Sequence, residues 1–247
     1  MSARLVVAIA GVAALGTFMA GCSSSSRSWA IDALGDSVPR GTNCECRPYP
    51  PLTADDLAAG SGRSVSATND AVAGATTASV LSQLDSDTTV QGHVRSANAI
   101  EIEIGANDVE YTDSCGAAVD CYAPRLGPLE KNLDSIVARA RQLASGHKPA
   151  VVLLDYWSVW LGGQYAAARG HAYVSAAQQM TERVDSIIQT TASETGSFYV
   201  DLRAAFKGPD YNYDETHFLS SDGDHPNAAG HAQIAKAVDA VLDGALR

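Results

Sequence analysis

The chain lacks a basic cluster, an internal repeat and any apolar run long enough to cross a membrane. Only 17 Lys and Arg stand against 28 Asp and Glu, giving a net charge of −11 over 247 residues. Phosphate-backbone binding needs concentrated positive charge, so nucleic acid is excluded as a partner. The longest uncharged apolar stretch, residues 5–20, falls short of the roughly 20 residues of a membrane-spanning helix. No second composition block follows Ser28, which argues for one domain over 29–247. Hydrophobic residues reach 46%, too many for a disordered chain and ordinary for a globular one.

The first 21 residues read as a separate object. Arg4, the apolar stretch and the small residues before Cys22 have the form of an export signal. Met19-Ala20-Gly21-Cys22 resembles the bacterial lipobox, with Met19 where Leu is usual. That resemblance implies a lipoprotein signal peptide over 1–21, diacylation of Cys22 and a Ser-rich tether over 22–28. The protein is then expected outside the cytoplasmic membrane, held by its lipid, the alternative being plain secretion. Four further cysteines would sit in an oxidising setting, which implies two disulfides. A four-Cys zinc site is disfavoured, because spacers of one residue (44 to 46) and five (115 to 121) do not match the usual two. The expected pairs are Cys115 with Cys121, closing a small loop, and Cys44 with Cys46 by default; crossed pairing is the alternative.

Short apolar runs at 29–34, 64–68, 99–104, 150–155 and 197–202 read as strands. Between and after them, 129–144, 172–193 and 228–246 carry apolar residues at helical spacing. The alternation predicts a parallel sheet covered by helices on both faces, with chemistry at the carboxyl ends of the strands. One strand resists: Ile100-Glu101-Ile102-Glu103-Ile104 puts two carboxylates on one face, and Asp32 intrudes similarly in the first strand. An open face or a cationic partner is expected there. A carboxylate metal site is disfavoured, since no His lies near in sequence.

Gly35-Asp36-Ser37 follows the first strand directly, a position that suits an exposed nucleophile. Near the other end, Ser221-Asp222-Gly223-Asp224-His225-Pro226-Asn227 offers a base and, three residues earlier, a carboxylate able to wrap back onto it. His217, three residues after Asp214, is the rival; His93, His147 and His171 read as surface residues, and His231 lies past the site in the last helix.

These blocks, with Asn69 to Gly74 and Gly105-Ala106-Asn107-Asp108 between them, resemble the SGNH (GDSL-type) hydrolases in content and order. The Gly-Thr-Asn-Cys-Glu-Cys run at 41–46 is similar to actinobacterial secreted lipases and esterases. The resemblance implies a flavodoxin-like three-layer α/β/α fold around about five parallel strands. It implies Ser37 as nucleophile, His225 as base and Asp222 as its orienting acid. The backbone N–H groups of Ser37 and Gly74, with the Asn107 amide, would form the oxyanion hole. No metal or cofactor is expected, and the partner is a small-molecule or lipid ester met by a monomer. Tyr156 to Leu161, after the fourth strand, should border the site as an acyl pocket or a plug, and 109–129 should form a stapled loop on one rim. A deacetylase of cell-wall polysaccharide and a non-catalytic surface lipoprotein that binds glycan or protein are the competing readings.

Overall fold

The computed structural model describes residue 1 and residues 28–246. Five strands form one parallel sheet: β1 (Trp29–Gly35), β2 (Val65–Asn69), β3 (Ala99–Glu103), β4 (Ala150–Leu154) and β5 (Phe198–Val200), in the order β2-β1-β3-β4-β5. The helices are α1 (Ser37–Arg40), α2 (Tyr49–Ser61), α3 (Thr77–Ser86), α4 (Thr88–Ser96), α5 (Leu126–Leu143), α6 (Gly163–Ala167), α7 (His171–Thr195), α8 (Leu202–Lys207) and α9 (Ala228–Leu246). Helices α2, α8 and α9 pack together on one face; α3, α4, α5 and α7 cover the other. This is the expected three-layer α/β/α arrangement.

The chain leaves β1 toward β2 on one side and comes back to β3 on the other, so the sheet order reverses between β1 and β3. Crevices at the carboxyl ends of strands open at such a point. The turns that carry Ser37 and Asn107 leave β1 and β3 there.

The acidic residues of the sheet are not where an open face would put them. Glu101 and Glu103 are 0% exposed and Asp32 is 1% exposed, and no carboxylate oxygen of the three has a hydrogen-bond partner. The expected open face and cationic partner are both corrected. Glu101 and Glu103 stand beside Ala33 and Gly35 of β1, two small residues that leave them room. Burial lifts both carboxyls well above the usual range, so each keeps its proton and packs as a neutral group. Asp32 lies one step out of phase with them and so faces α3 and α4.

Other departures are local. Residues 197–202 were read as one strand; β5 ends at Val200, because Asp201 caps α8 by accepting a 2.6 Å hydrogen bond from the Ala204 N–H. His93 is not a simple surface residue, since its Nδ1 lies 2.8 Å from Asp70 Oδ2. The cysteines pair as Cys44–Cys46 and Cys115–Cys121, with Cα separations of 5.0 and 5.7 Å. Cys22, with residues 2–21 of the expected signal and residues 23–27 of the expected tether, lies outside the described residues.

Candidate active site

The turn at Ser37 begins with a glycine that nothing else can replace. Gly35 has φ +152°, and a Cβ there would collide with the Glu103 carbonyl oxygen of the adjacent strand. Asp36 then caps α1, accepting from the Val38 N–H at 3.0 Å and from the Tyr156 hydroxyl at 2.6 Å. Burial raises the Asp36 carboxyl to about 6, even though both hydrogen bonds favour its charge. Ser37, the first residue of α1, is left half-buried.

The segment after β2 is stitched to this turn. The Val72 N–H donates to the Gly35 carbonyl and the Ala75 N–H to Val72, both at 3.0 Å. Gly74, with φ +77°, occupies the third place of that tight turn, a place that requires left-handed backbone. It is exposed and does not wall the cavity described below. Asn107 sits in a short 3-10 turn after β3 and donates one amide hydrogen to the Ala75 carbonyl at 2.9 Å. A side-chain amide has two hydrogens, so one remains. Asn107 is thereby tied to the residue following Gly74.

The loop from Leu219 to Pro226 closes on itself. Leu219 and Pro226 form an isolated bridge, and the Ser220 N–H donates to the His225 carbonyl at 2.8 Å. Within it, Asp222 Oδ2 lies 2.8 Å from His225 Nδ1, and Asp222 Oδ1 accepts from the N–H groups of Asp224 and His225 at 3.0 and 3.1 Å. A fourth donor comes from far away in sequence: the Asn43 amide reaches Asp222 Oδ2 at 2.6 Å. Partial burial opposes the charge on Asp222, but these four hydrogen bonds outweigh it and hold the carboxyl at about 2. The ring therefore donates from Nδ1 and keeps its lone pair on Nε2. Asp224 is exposed, 3.9 Å from Nδ1, and lines the rim.

The rival histidine is elsewhere. His217 is exposed, lies tilted against Phe218 and lines none of the cavity, while Asp214 spends its oxygen on Thr216. His231 is fully buried, and its Nδ1 accepts the Tyr49 N–H at 3.3 Å; burial pushes the ring down to about 4.

Ser37, Asn107 and His225 share one cavity of about 240 Å³. Tyr111, Tyr156, Trp157, Trp160 and Tyr173 form most of its apolar wall. The 156–161 segment is thus both lining and plug: Trp160 is nearly buried and donates from its indole to the Val109 carbonyl at 2.8 Å. Glu110 and Tyr111, at the start of the stapled 109–129 segment, lie on the rim as expected. A larger cavity of about 330 Å³ lies behind Trp157 and Leu161, but contains neither Ser37 nor His225.

Asn43 is the site residue that motif reading missed. It lies in the run 41–46 and adopts φ +56°, a conformation Asn tolerates better than most residues. The Ser220 hydroxyl donates to its carbonyl at 3.1 Å, so the stretch after Ser37 and the His225 loop are tied in both directions.

The sequence profile of the GDSL-like lipase/acylhydrolase family matches residues 33–233. Curated proteins give no significant match. Among solved structures, the lipase Lip_vut3 from a goat rumen metagenome superposes with a TM-score of 0.68 at 20% identity, over 89% of this chain and 100% of that one. A catalytic mutant of Axe2, an acetylxylan esterase from Geobacillus stearothermophilus, gives 0.61 at 19%, over 87% and 94%. The lipase/acylhydrolase from Enterococcus faecalis gives 0.61 at 18%, over 89% and 97%. At these identities the structures speak for the fold, and the profile match carries the assignment: the chain belongs to the GDSL-like lipase/acylhydrolase family and is a carboxylic ester hydrolase.

Proposed function

We propose that the protein is a serine esterase for short acyl groups, working through Ser37, His225 and Asp222 and anchored outside the cytoplasmic membrane by lipidated Cys22. The observation that carries this reading is the Asp222–His225 pair at 2.8 Å, sharing a loop whose base lines the same cavity as Ser37. In the first half-reaction, Ser37 Oγ attacks the ester carbonyl and its proton passes to His225 Nε2. The imidazolium that forms is stabilised by the ionised Asp222. The carbonyl oxygen, now an oxyanion, is held by the Ser37 N–H and the free amide hydrogen of Asn107, both on the cavity wall, and the Gly74 N–H, which lies outside that wall, joins them when substrate is bound. Collapse expels the alcohol, which takes the proton from His225. Water then repeats the sequence on the acyl-enzyme and releases the acid.

Cavity size and lining support the substrate class. About 240 Å³ between aromatic walls has space for a small acyl group and little for a long chain. A second reading, removal of acetyl groups from a polysaccharide, is favoured by the Tyr and Trp walls, which suit a sugar face, and by the likeness to an acetylxylan esterase. The test compares aryl esters of graded chain length with acetylated glycans, using Ser37→Ala as the control. Turnover should peak at two to four acyl carbons (about 240 Å³ of space) and vanish in Ser37→Ala. Full activity in Ser37→Ala, or a preference for long chains, would refute the proposal.

A further inference from the structure

On the α3/α4 face of the sheet, away from the cavity, three side chains converge. Asp32 stands in mid-β1, Asp70 follows β2, and His93 lies in the last turn of α4. One carboxylate oxygen from each Asp and one ring nitrogen of His93 all lie within 4.8 Å of one another. Asp32 is 1% exposed and neither of its oxygens has a hydrogen-bond partner. Its polar neighbour is another carboxylate, and among the described residues no Lys or Arg pairs with either acid. Asp70 is half-buried and hydrogen-bonded to His93, but Asp32 is buried beside it with no partner, and two carboxylates so close call for a shared proton or a cation.

A cation would answer the unpartnered Asp32 by replacing the proton that His93 and Asp70 share and drawing the three side chains together. Two ligand atoms bound to one ion at about 2.1 Å lie roughly 3 Å apart along the edge of an octahedron. His93 Nδ1 and Asp70 Oδ2 are already 2.8 Å apart. The His93 side chain is 37% exposed and that of Asp70 14%, so an ion has an entry from solvent while Asp32 closes the floor. The Gln83 amide holds the Asp70 carbonyl at 3.2 Å, and its own Oε1 is likewise buried without a partner. We infer that Asp32, Asp70 and His93 form a site for one divalent cation. Two carboxylates with one imidazole suit Zn²⁺ or Mn²⁺ better than Ca²⁺ or Mg²⁺. The ion would fasten β1, the segment after β2 and α4 at one point. The Asp70 N–H donates to the Ala33 carbonyl, and the Val72 N–H to Gly35, so the braced backbone leads directly to Ser37 and Gly74. Its place is structural, behind the nucleophile turn.

The full chain, stripped with a chelator and dialysed, is titrated with ZnCl₂ or MnCl₂ by calorimetry, with bound metal counted by elemental analysis. One ion per chain is expected, with a Kd of roughly 10 µM or tighter. Tm should rise by about 5 °C or more at a hundredfold excess over Kd. His93→Ala, at a partly exposed position the fold should tolerate, should weaken binding at least tenfold, as should Asp32→Asn, which keeps the side-chain shape. If Asp32→Asn fails to fold, His93→Ala decides alone. No binding by the unaltered protein overturns the site. Binding that survives the substitutions unchanged places the ion elsewhere and overturns it equally.

Discussion

Asp222 and Asp224 flank the same histidine, yet only one is built into the ring's hydrogen-bonding. Asp222 holds Nδ1 at 2.8 Å and is itself held by three other donors, whereas Asp224 stands 3.9 Å away on the rim. Loss of the orienting carboxylate in a Ser-His-Asp triad lowers turnover by about 10⁴ in a worked case on another fold. Asp222→Asn should therefore lose at least a hundredfold in kcat and Asp224→Asn should change it little, as measured by steady-state kinetics on one aryl ester. Near-full activity in Asp222→Asn, with Ser37→Ala and His225→Ala both dead, would mean that a Ser–His dyad suffices. Asn43 extends the argument by one residue. Asn43→Gly keeps the positive-φ backbone and removes one hydrogen bond to a charged group, an interaction of about 1.5 kcal/mol or more. A loss of roughly tenfold in kcat with KM unchanged is expected; a change confined to KM would assign Asn43 to substrate binding instead.

Among the elements, the turn that leaves β1 presents Ser37. Gly35→Ala forces a Cβ against the Glu103 carbonyl and onto a backbone conformation that L-residues rarely adopt. The two strained neighbours are central strands, so the cost should reach at least about 3 kcal/mol, visible as a lowered denaturant midpoint or failure to fold. The turn was legible in the sequence because a glycine before a polar pair after an apolar run has few other uses. The five strands were legible as short apolar runs, and the helices α5, α7 and α9 because their apolar residues recur at helical spacing. By contrast α2 was not, since it opens with Tyr49-Pro50-Pro51 and buries Tyr, Pro, Thr, Ala and a single Leu, a face with little contrast against its solvent side. Helices α3 and α4 are rich in Ser and Thr and are held by their ends: Thr76 and Ser79 cap the first reciprocally, and Asp87 caps the second. Asn43 was illegible because its partner lies 179 residues away, and no spacing rule reaches that far. The nearness of His93 to Asp32 was hidden in the same manner, by the fold bringing α4 beneath β1.

For the molecule as a whole, the buried acids set the response to pH. Glu101, Glu103, Asp36 and Asp155 all have carboxyls raised chiefly by burial, Asp36 to about 6 and Asp155 to about 7. Each keeps in the fold a proton that the unfolded chain releases above about pH 4. Folding stability is therefore greatest near that pH and falls as pH rises toward each folded value, by about 1.4 kcal/mol per pH unit for each such group. Asp222 acts oppositely, but only below pH 4, where its depressed carboxyl loses its advantage. Tm should decline from pH 5 to pH 8, and Glu103→Gln, which mimics the protonated acid facing Tyr49, should flatten the decline and raise Tm at pH 8. A Tm that rises over that interval would contradict this. Anchoring is a separate expectation at this scale. Two acyl chains hold a protein to a bilayer where one does not, so Cys22→Ser should move activity from the membrane fraction to the soluble one. An intact mass showing an unmodified N-terminus would end that reading.

The closed loop from Leu219 to Pro226 has one more implication. Asp222 and His225 travel together inside a span of eight residues that closes on itself and is braced from outside by Asn43, so their mutual alignment does not run through the sheet. What the rest of the protein must supply is one length, from that loop to the β1 turn. Two elements meet to define it: α2, which follows Ser37 and Asn43, and α9, which follows His225, packed against each other with the Tyr49 and His231 rings stacked 6.3 Å apart. The pair works as a caliper. A substitution that changes the thickness of the α2–α9 seam should shift His225 relative to Ser37 while leaving the Asp222–His225 pair intact. Variants adapted to cold or heat should accordingly differ along this seam, with residues 219–226 passed on unchanged.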